Sequence, residues 1–396
     1  MDALTTPSNW QRVRLGDIAE IKRGASPRPI ENPKWFCTNS NVGWVRISDI
    51  SKNSRFLYKT AQKLSKKGIE KSRFIKQNSL IMSMCATIGK PIITKIDTCI
   101  HDGFVVFENP KIDLNYLYYF LCYIEKEWLE SGQQGSQVNL NVDLIKNKEV
   151  FCPKDLNEQI AIANVLSDVD RYLYSLDALI LKKESVKKAL SFELLSQRKR
   201  LKGFNQAWQK VRLGDICEFG NGRAYETLIV ENGDFKLISL NSIDIDGNLK
   251  NTMKRVNFYD NSLKQDDIVM VLSDVAHGDF LGLCAVIPSN DYVLNQRMGR
   301  LRKRNDCVNI LFLRLYINAN QKYFKMQGQG SSQLNLSKKA IEDFEIPLPP
   351  LNEQIAIANI LSALDSEIIS LKNKKRQFEN IKKALNHDLM SAKIRV

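Results

Sequence analysis

The amino-acid sequence predicts an α+β protein with two globular domains in a pseudo-two-fold arrangement, separated by two long antiparallel coiled-coil helices. Three observations predict this fold. The chain of 396 residues contains one sequence frame twice. Each copy of the frame ends in a long segment whose apolar residues recur at helical spacing. Strand-like runs, punctuated by Gly, Pro, Asn and Asp, occupy much of the remainder.

The repeat has three ordered parts. The matched segments, at offsets of 198, 195 and 196 residues, are 10–24 with 208–222, 156–170 with 351–365, and 137–140 with 333–336. Ten of 15 positions are identical in the first match and 12 of 15 in the second. Chance does not place three ordered matches at nearly one spacing, so the chain is a tandem duplication. The segments between them, 25–130 and 223–327, align poorly, which predicts one scaffold with two different recognition surfaces; neutral drift is the alternative.

The duplication divides the chain into four predicted segments. The first module comprises residues 1–155 and the second module residues 204–350, with helices at 156–203 and 351–396. Strand-like runs in the two modules begin at Gly43, Ser79, Phe104, Phe235, Asp267 and Leu283. Residues 113–130 and 308–325 have helical spacing of Leu, Tyr and Phe. Trp10 and Trp208 occupy matched positions, where core packing is expected rather than stacking on a ligand.

Each long helix has an apolar stripe that must be buried. Steps of three and four residues predict a coiled-coil seam, formed by Leu166, Val169, Leu173, Leu176, Ile180, Val186 and Leu190 and by Leu361, Leu364, Ile368, Leu371, Phe378, Ile381 and Leu385. Asp155 is predicted to cap the first helix, with Glu158 as its capping-box partner. About 45 helical residues would extend roughly 65–70 Å. The other copy is the expected partner, and packing of each helix only on its own module is the alternative. Lys375 places a charge in the seam, which is expected to loosen the pair or fix its register.

The charge of the chain predicts a polyanionic partner. Lys and Arg number 58 against 44 Asp and Glu, a net charge of +14. Residues 1–155 carry net +7, residues 204–350 only +1, and the stretch 44–76 alone carries +8. A basic surface that merely keeps the protein in solution is the alternative.

Several other classes of protein are not favoured by the sequence. No apolar run approaches the roughly 18 residues of a membrane span, and the first residues do not resemble a secretory signal, so a cytoplasmic protein without membrane contact is expected. Eight cysteines form no Cys-x-x-Cys pair and the three histidines are scattered, so no metal site is predicted. Phosphate-loop and nucleophile-elbow motifs are missing. A binding protein is therefore favoured over a structural adaptor with only non-specific DNA affinity, or an enzyme with a diffuse site.

Four motifs together resemble the specificity subunit of type I restriction–modification enzymes. They are Trp-x-x-Val-x-Leu-Gly-Asp-Ile at 10–18, Gly-Ser-Gln-x-Asn-Leu at 135–140, Leu-Asn-Glu-Gln-Ile-Ala-Ile-Ala at 156–163 and Leu-Met-Ser-Ala-Lys-Ile-Arg-Val at 389–396. The resemblance implies that each module is a target recognition domain reading one half of an asymmetric, bipartite double-stranded DNA target. It also implies that the helix pair sets the spacing and docks two methylating subunits, and that restriction subunits complete the complex. The chain itself would be non-catalytic, with S-adenosylmethionine, ATP and Mg bound by the partner subunits.

Base-reading residues vary within such a family, so candidates come from side-chain chemistry. Arg, Lys, Asn, Gln and Ser can hydrogen-bond to base edges. In the first module the candidates are Arg23, Arg28, Arg46, Lys52, Arg55, Ser136, Gln137 and Asn139. In the second module they are Arg223, Tyr225, Asn241, Lys254, Arg255, Arg297, Gln333 and Asn335. Because Gln137/Gln333 and Asn139/Asn335 recur in both copies, bracing of the domain is an alternative role for them.

Overall fold

The computed structural model describes residues 8–51, 55–130, 140–275 and 279–396. The chain divides into two compact units, residues 1–177 with 373–396 and residues 178–372. These units differ from the four predicted segments because each unit takes in part of both long helices.

Unit 1 contains the first module and parts of both long helices. Its strands are β1 (Trp10–Arg14), β2 (Glu20–Arg23), β3 (Gly43–Val45), β4 (Phe56–Leu57), β5 (Gln62–Lys63), β6 (Arg73–Ile75), β7 (Leu80–Ser83), β8 (Pro91–Thr94), β9 (Thr98–Ile100), β10 (Phe104–Glu108) and β11 (Glu149–Pro153). Its helices are α1 (Leu15–Ile18), α2 (Ile47–Ser51), α3 (Lys66–Glu70), α4 (Leu114–Tyr123), α5 (Glu125–Glu130), α6 (Val142–Asn147) and the start of α7 (Leu156–Leu195). A five-stranded sheet has the order β2-β10-β7-β8-β4, a four-stranded sheet has the order β5-β3-β9-β6, and β1 pairs with β11.

Unit 2 contains the second module. Its strands are β12 (Gln209–Arg212), β13 (Cys217–Asn221), β14 (Phe235–Ile238), β15 (Lys254–Val256), β16 (Ile268–Val271), β17 (Ser273–Val275), β18 (Cys284–Val286), β19 (Tyr292–Leu294), β20 (Met298–Lys303), β21 (Gln333–Asn335) and β22 (Glu345–Leu348). Its helices are α8 (Leu213–Ile216), α9 (Ile310–Ala319), α10 (Gln321–Gln327), α11 (Lys338–Glu342) and the start of α12 (Leu351–Met390). The sheets have the orders β13-β20-β16-β18 and β15-β14-β19, with separate pairs β12-β22 and β17-β21.

The two modules share one topology, including the segments whose sequences align poorly. The order β13-β20-β16-β18 repeats β2-β10-β7-β8, and the parallel pairing of β3 with β9 recurs between β14 and β19. A short sequence match supports this equivalence: Ile-Lys-Gln-Asn-Ser-Leu-Ile-Met at 75–82 and Leu-Lys-Gln-Asp-Asp-Ile-Val-Met at 263–270. Asn78 and Asp266 both have positive φ, 64° and 68°. The offset of this match is 188 rather than 195–198 residues, so a search at one spacing misses it.

Successive side chains of the central strands point to opposite faces of each main sheet, and each face packs into its own hydrophobic core. In β7, Leu80 and Met82 pack with α4 and α7, whereas Ile81 belongs to the core on the other face. In β16, Ile268 and Met270 face the helices and Val269 faces the other way. The predicted strands and the helices of 113–130 and 308–325 are all present, because buried strands with period-two packing and helices with apolar stripes carry strong local signals.

The repeated Leu-Asn-Glu-Gln motif ties the start of each long helix to its module. Trp10 and Trp208 donate their indole N–H to Glu158 Oε1 and Glu353 Oε2, both at 3.0 Å. Trp10 is buried, as predicted. Asp155 does accept from the Asn157 N–H at 3.0 Å. The capping-box role predicted for Glu158 is wrong, because its carboxylate accepts from Asn9 and Trp10.

The glutamine of the motif has the same role in both copies. Gln159 accepts from the N–H of Asp113, the residue that caps α4, at 2.8 Å and donates to Pro153 O at 2.9 Å. Gln354 accepts from the N–H of Asn309, the cap of α9, at 2.8 Å and donates to Pro349 O at 2.7 Å. In each copy the buried amide belongs to the long helix and hydrogen-bonds to the cap of a second helix, α4 or α9. These satisfied hydrogen bonds hold the two helices in place, which accounts for the near identity of the repeat here.

The long helices are antiparallel within each unit, as predicted. In unit 1 the pairs are Asp170–Lys382 at 2.5 Å and Asp177–Lys375 at 2.6 Å, with Tyr172 against Phe378 at 4.5 Å between ring centroids. In unit 2 the pairs are Lys183–Glu367 and Glu184–Lys372, each at 2.8 Å, and Lys187–Asp365. Residue numbers rise on one helix as they fall on the other. Lys375 is therefore paired across the helices, which fits the register role proposed for it.

Most of the predicted seam is at least partly covered. Leu166, Leu176, Ile180, Leu361 and Ile368 are buried, and Val169, Leu173, Leu190, Leu364, Leu371, Phe378 and Leu385 are half-buried. The prediction is wrong for the matched residues Val186 and Ile381, which are 39% and 50% exposed. A helix that meets only one partner covers a narrow stripe, and ion pairs flank that stripe, so these two positions lie outside it.

Helix α12 contains one window that is long and apolar enough to cross a membrane by length and composition. The repeated Ile-Ala-Ile-Ala sequence contributes to this window. In the structure Ile357, Ala358 and Leu361 lie in the core of unit 2. Packing against the module accounts for these three residues, but only 28% of the window is buried, and Ile355, Ile360 and Ile369 of α12 are exposed.

Candidate nucleic-acid interface

In the first module, candidate arginines converge on the turn between β9 and β10. Arg23 donates through Nε to Asp102 O at 2.7 Å, and Arg28 donates to Asp102 Oδ2 at 2.9 Å. Ser26 donates to the other carboxylate oxygen at 2.7 Å. Burial opposes ionisation of Asp102, but the Ser26 hydrogen bond and the charge of Arg28 outweigh it and hold the pKa of Asp102 below its usual value. Asp102 thus holds two exposed guanidinium groups at one surface, Arg28 through its carboxylate and Arg23 through its backbone carbonyl.

The last glycine of the first repeated motif makes this convergence possible in both modules. A Cβ on Gly24 would lie 2.0 Å from His101 O, and a Cβ on Gly222 would lie 1.9 Å from Asn295 O. Only glycine allows the end of β2 or β13 to approach the facing turn so closely. Segments 24–28 and 222–226 therefore occupy equivalent places beside the turns at 101–103 and 295–297.

His101 is a structural part of the first turn that sequence reasoning missed. Its Nδ1 accepts from the Gly103 N–H at 2.9 Å, and its ring packs on Phe104 at 4.6 Å between centroids. Burial lowers the pKa of His101, and the nearby Asp102 only partly offsets this. The neutral ring holds the turn that presents Asp102. The dipeptide Asp102-Gly103 was the available sequence signal for a turn here.

Two further arginines extend the cluster. Arg46 is exposed and donates to Gln62 Oε1 at 2.8 Å. Arg73, which was not a candidate, donates through Nε to Arg23 O at 2.5 Å. Arg23 ends β2 and Arg28 follows it, Arg46 directly follows β3, and Arg73 begins β6. These four residues form the arginine cluster.

The second module places different side chains at its equivalent turn. Arg223 and Arg297 are exposed there, and Gln296 N–H donates to Arg223 O at 2.7 Å. Arg297 has a φ of 67°. A Gln296 hydrogen bond, with smaller help from Arg297, lowers the pKa of Glu226. Tyr225 donates to Asp260 at 2.8 Å, so its hydroxyl is engaged within the module.

The remaining candidates of the second module are separate from that turn. Asn241 and Lys254 are exposed, and Arg255 is half-buried and donates to Gly233 O at 2.9 Å. Asn335 accepts from Ser273 at 2.6 Å and exchanges backbone bonds with Gln329, while Gln333 is half-buried on β21. These contacts fit the bracing role considered for this repeated pair.

Arg55 is the candidate whose surroundings differ most from a DNA-facing side chain. It is 7% exposed. Its guanidinium donates to Tyr119 Oη at 2.9 Å, Ser167 Oγ at 2.7 Å and Asn115 Oδ1 at 2.6 Å. Tyr119 in turn donates to Asp170 at 2.7 Å. Arg55 therefore joins β4 to α4 and α7 and lies beneath the exposed surface.

Four candidates, Lys52, Ser136, Gln137 and Asn139, lie outside the described residues. Contact with bases stays a prediction for all of the candidates. Within residues 8–51, 55–130, 140–275 and 279–396, no group of three or more His, Cys, Asp or Glu side chains has the arrangement to hold a metal ion.

Both halves of the chain are similar to known proteins. The family model described as "Type I restriction modification DNA specificity domain" matches residues 7–183 and again residues 205–380. The Type I restriction enzyme MjaVIII specificity subunit of Methanocaldococcus jannaschii is 26% identical, covering 100% of this chain and 95% of that protein.

Two solved structures share the fold at low sequence identity. The S subunit of a type I restriction–modification system from M. genitalium has a TM-score of 0.64 at 17% identity, covering 98% of this chain and 97% of the other. A chain from a structure on complex assembly and conformational transition of the type I R-M system has a TM-score of 0.60 at 15% identity, with 97% and 98% covered. The duplicated frame, the antiparallel helices and the twofold match of the family model lead to one conclusion: the chain belongs to the family of type I restriction–modification specificity subunits and contains its DNA specificity domain twice.

Proposed function

We propose that the two modules of this specificity subunit read different half-sites of one asymmetric, bipartite DNA target. A single observation carries the proposal: two modules of one topology present different side chains at equivalent turns. The first module presents arginines around Asp102, whereas the second presents Arg223 and Arg297 around Gln296. Arginine favours guanine, and its neighbours decide which further donors and acceptors face the DNA. Different donors and acceptors at equivalent places imply different bases.

The helix pair is proposed to set the distance between the half-sites. Helices α7 and α12 each run for 40 residues, and cross-helix ion pairs fix their register within each unit. A rigid spacer would keep the two recognised half-sites a fixed number of base pairs apart, at about one DNA turn per 34–36 Å.

The outer faces of the helices are proposed to dock the methylating subunits. Exposed apolar side chains include Ile160, Tyr174 and Leu181 on α7 and Ile355, Ile360 and Ile369 on α12. Large apolar groups of this kind on a soluble scaffold are typical of a protein interface. The duplication supports two equivalent docking sites and hence two methylating subunits. Restriction subunits would complete the complex.

A specificity subunit is the non-catalytic DNA-recognition component of its complex. We therefore propose that S-adenosylmethionine, ATP and Mg are bound by the partner subunits and that the complex works in the cytoplasm. A structural adaptor with only non-specific affinity is not favoured, because the chain belongs to a family of DNA specificity domains.

The proposal is tested by co-expressing the chain with its cognate methylating subunit and mapping methylated adenines across the host genome. The expected result is one asymmetric motif made of two short specified parts separated by unspecified bases. A continuous motif in repeated experiments would contradict split reading. Methylation without a motif would support the adaptor instead.

A further inference from the structure

A strongly basic segment of the first module adjoins the candidate base readers. Residues 59–76 contain seven basic residues and one acidic residue. Six lysines are exposed, namely Lys59, Lys63, Lys66, Lys67, Lys71 and Lys76, and they are called the lysine-rich surface below. Within the described part of the chain none of these six forms an ion pair, and neither does Glu70. The charge of this surface is therefore not neutralised by the described residues of the module.

The lysines do not hold this segment in place. Leu64 and Ile75 are buried. Ser65 caps α3 by accepting from the Gly68 N–H at 3.2 Å, and Ser72 donates to Ala25 O at 2.7 Å. Apolar burial and serine hydrogen bonds thus account for the fold of the segment. Exposed lysines cost side-chain entropy when ordered and repel one another, so a run of them without partners points to an external polyanion.

The equivalent region of the second module carries a smaller excess. Residues 247–264, which match 59–76 at the offset of 188 residues, contain four basic residues and one acidic residue, a net charge of +3 against +6. Neighbouring basic groups are also paired: Lys236 with Asp291 at 2.9 Å and Arg302 with Asp267 at 2.6 Å. The denser run of unpaired lysines thus belongs to the first copy of the scaffold, although the second copy also has exposed lysines without an ion pair among the described residues.

The lysine-rich surface is continuous with the arginine cluster. Arg73, within the segment, donates to Arg23 O at 2.5 Å. On its other side, Arg46 donates to Gln62, the neighbour of Lys63 on β5. A duplex placed against the arginines would therefore have its backbone beside the lysines.

We propose that the lysine-rich surface binds the phosphate backbone beside the first half-site and supplies a large part of the salt-dependent affinity of the complex for DNA. This inference rests on the proposed function and assigns base reading and backbone binding to different residues of the first module. Lysine is a flexible point charge suited to phosphates, and phosphate contacts strengthen binding without specifying sequence. The first module would then hold the DNA more firmly than the second.

The test compares two variants with matched loss of charge, each in complex with the methylating subunit. The first variant combines K63Q, K66Q, K67Q and K71Q. The control combines K250Q, K264Q, K322Q and K339Q, four exposed lysines of the second module without an ion pair among the described residues. Dissociation constants for a duplex with the mapped motif are measured from 50 to 300 mM salt.

The first variant is expected to make the slope of log K against log salt shallower by about 2–4, since each lost phosphate contact removes roughly 0.9. The control should change it by less than about 1. Affinity of the first variant near 150 mM salt should fall roughly 100-fold, while the methylated motif stays the same. All eight side chains are exposed, and equal thermal unfolding of both variants checks that the fold is intact.

The alternative outcomes have distinct meanings. If the motif is split but both variants change the slope equally, or neither does, the inference is overturned while the proposed function stands. If the first variant fails to bind the methylating subunit, the surface contacts an acidic protein rather than DNA, which also overturns it. If the unmodified complex reads no split motif, the proposed function itself fails.

Discussion

At the scale of single residues, the same residue type has opposite roles in the first module. Arg55 and Arg46 lie nine positions apart in a basic stretch, and nothing local in the sequence distinguishes them. Arg46 is exposed, whereas Arg55 is buried by contacts with residues 60 to 112 positions away. Such long-range partners leave no periodic signal, so the candidates could be chosen by chemistry but not sorted by burial.

Replacement of Arg55 is expected to destabilise the protein. R55M leaves Asn115 and Ser167 without their buried donor, and loss of a buried charged partner should cost about 2–4 kcal/mol. R46M, at an exposed position, should change the free energy of unfolding by less than about 0.5 kcal/mol. Urea unfolding of both variants measures the difference. Equal stability of R55M and R46M would contradict the bracing role of Arg55.

His101 predicts a dependence of stability on pH. Because burial lowers the pKa of His101 in the folded state, the unfolded chain binds a proton that the folded chain does not as pH falls below about 6.5. Its contribution is present above pH 6.5 and is lost on acidification. H101N, which introduces the residue found at Asn295 in the equivalent turn, should lose less stability than the unmodified protein between pH 7 and 5.5. Parallel pH profiles for the two proteins would contradict this assignment.

At the scale of elements, the sequence predicted the helices and the central strands because their periodicity is local. It did not reveal that 25–130 and 223–327 share a topology, since loops of different length shift the match at 75–82 to another offset. Val186 and Ile381 have the spacing of seam residues, but both are exposed because no other element covers them among the described residues. Spacing identifies an apolar stripe, whereas its width depends on how many elements pack against it.

The start of each long helix offers an internal comparison. Glu353 is 0% exposed and accepts from both Arg200, at 2.6 Å, and Trp208, at 3.0 Å. Glu158 is half-buried and accepts only from the neutral donors Asn9 and Trp10 among the described residues. E353Q should therefore lower the unfolding temperature by several degrees, and E158Q by clearly less. Thermal unfolding measures the change in unfolding temperature, and hydrogen exchange shows which unit it affects. A larger decrease for E158Q than for E353Q would contradict the comparison.

At the scale of the whole molecule, the duplication is stronger evidence of function than the net charge. The family model matches both copies, and the modules have one topology with different exposed side chains at equivalent turns. The charge is unequal, with net +7 in residues 1–155 and +1 in residues 204–350. Length and charge alone predict a basic two-domain protein. Two modules of one topology with different exposed side chains predict that each module recognises its own DNA half-site.

Exchange of one module tests that central claim most directly. Residues 208–350 are replaced by the corresponding module of another member of the family, and methylated adenines are mapped with the same methylating subunit. We predict that one half of the motif changes to the donor's half-site, while the other half stays the same. A change in both halves, or in neither, would contradict independent reading by the two modules.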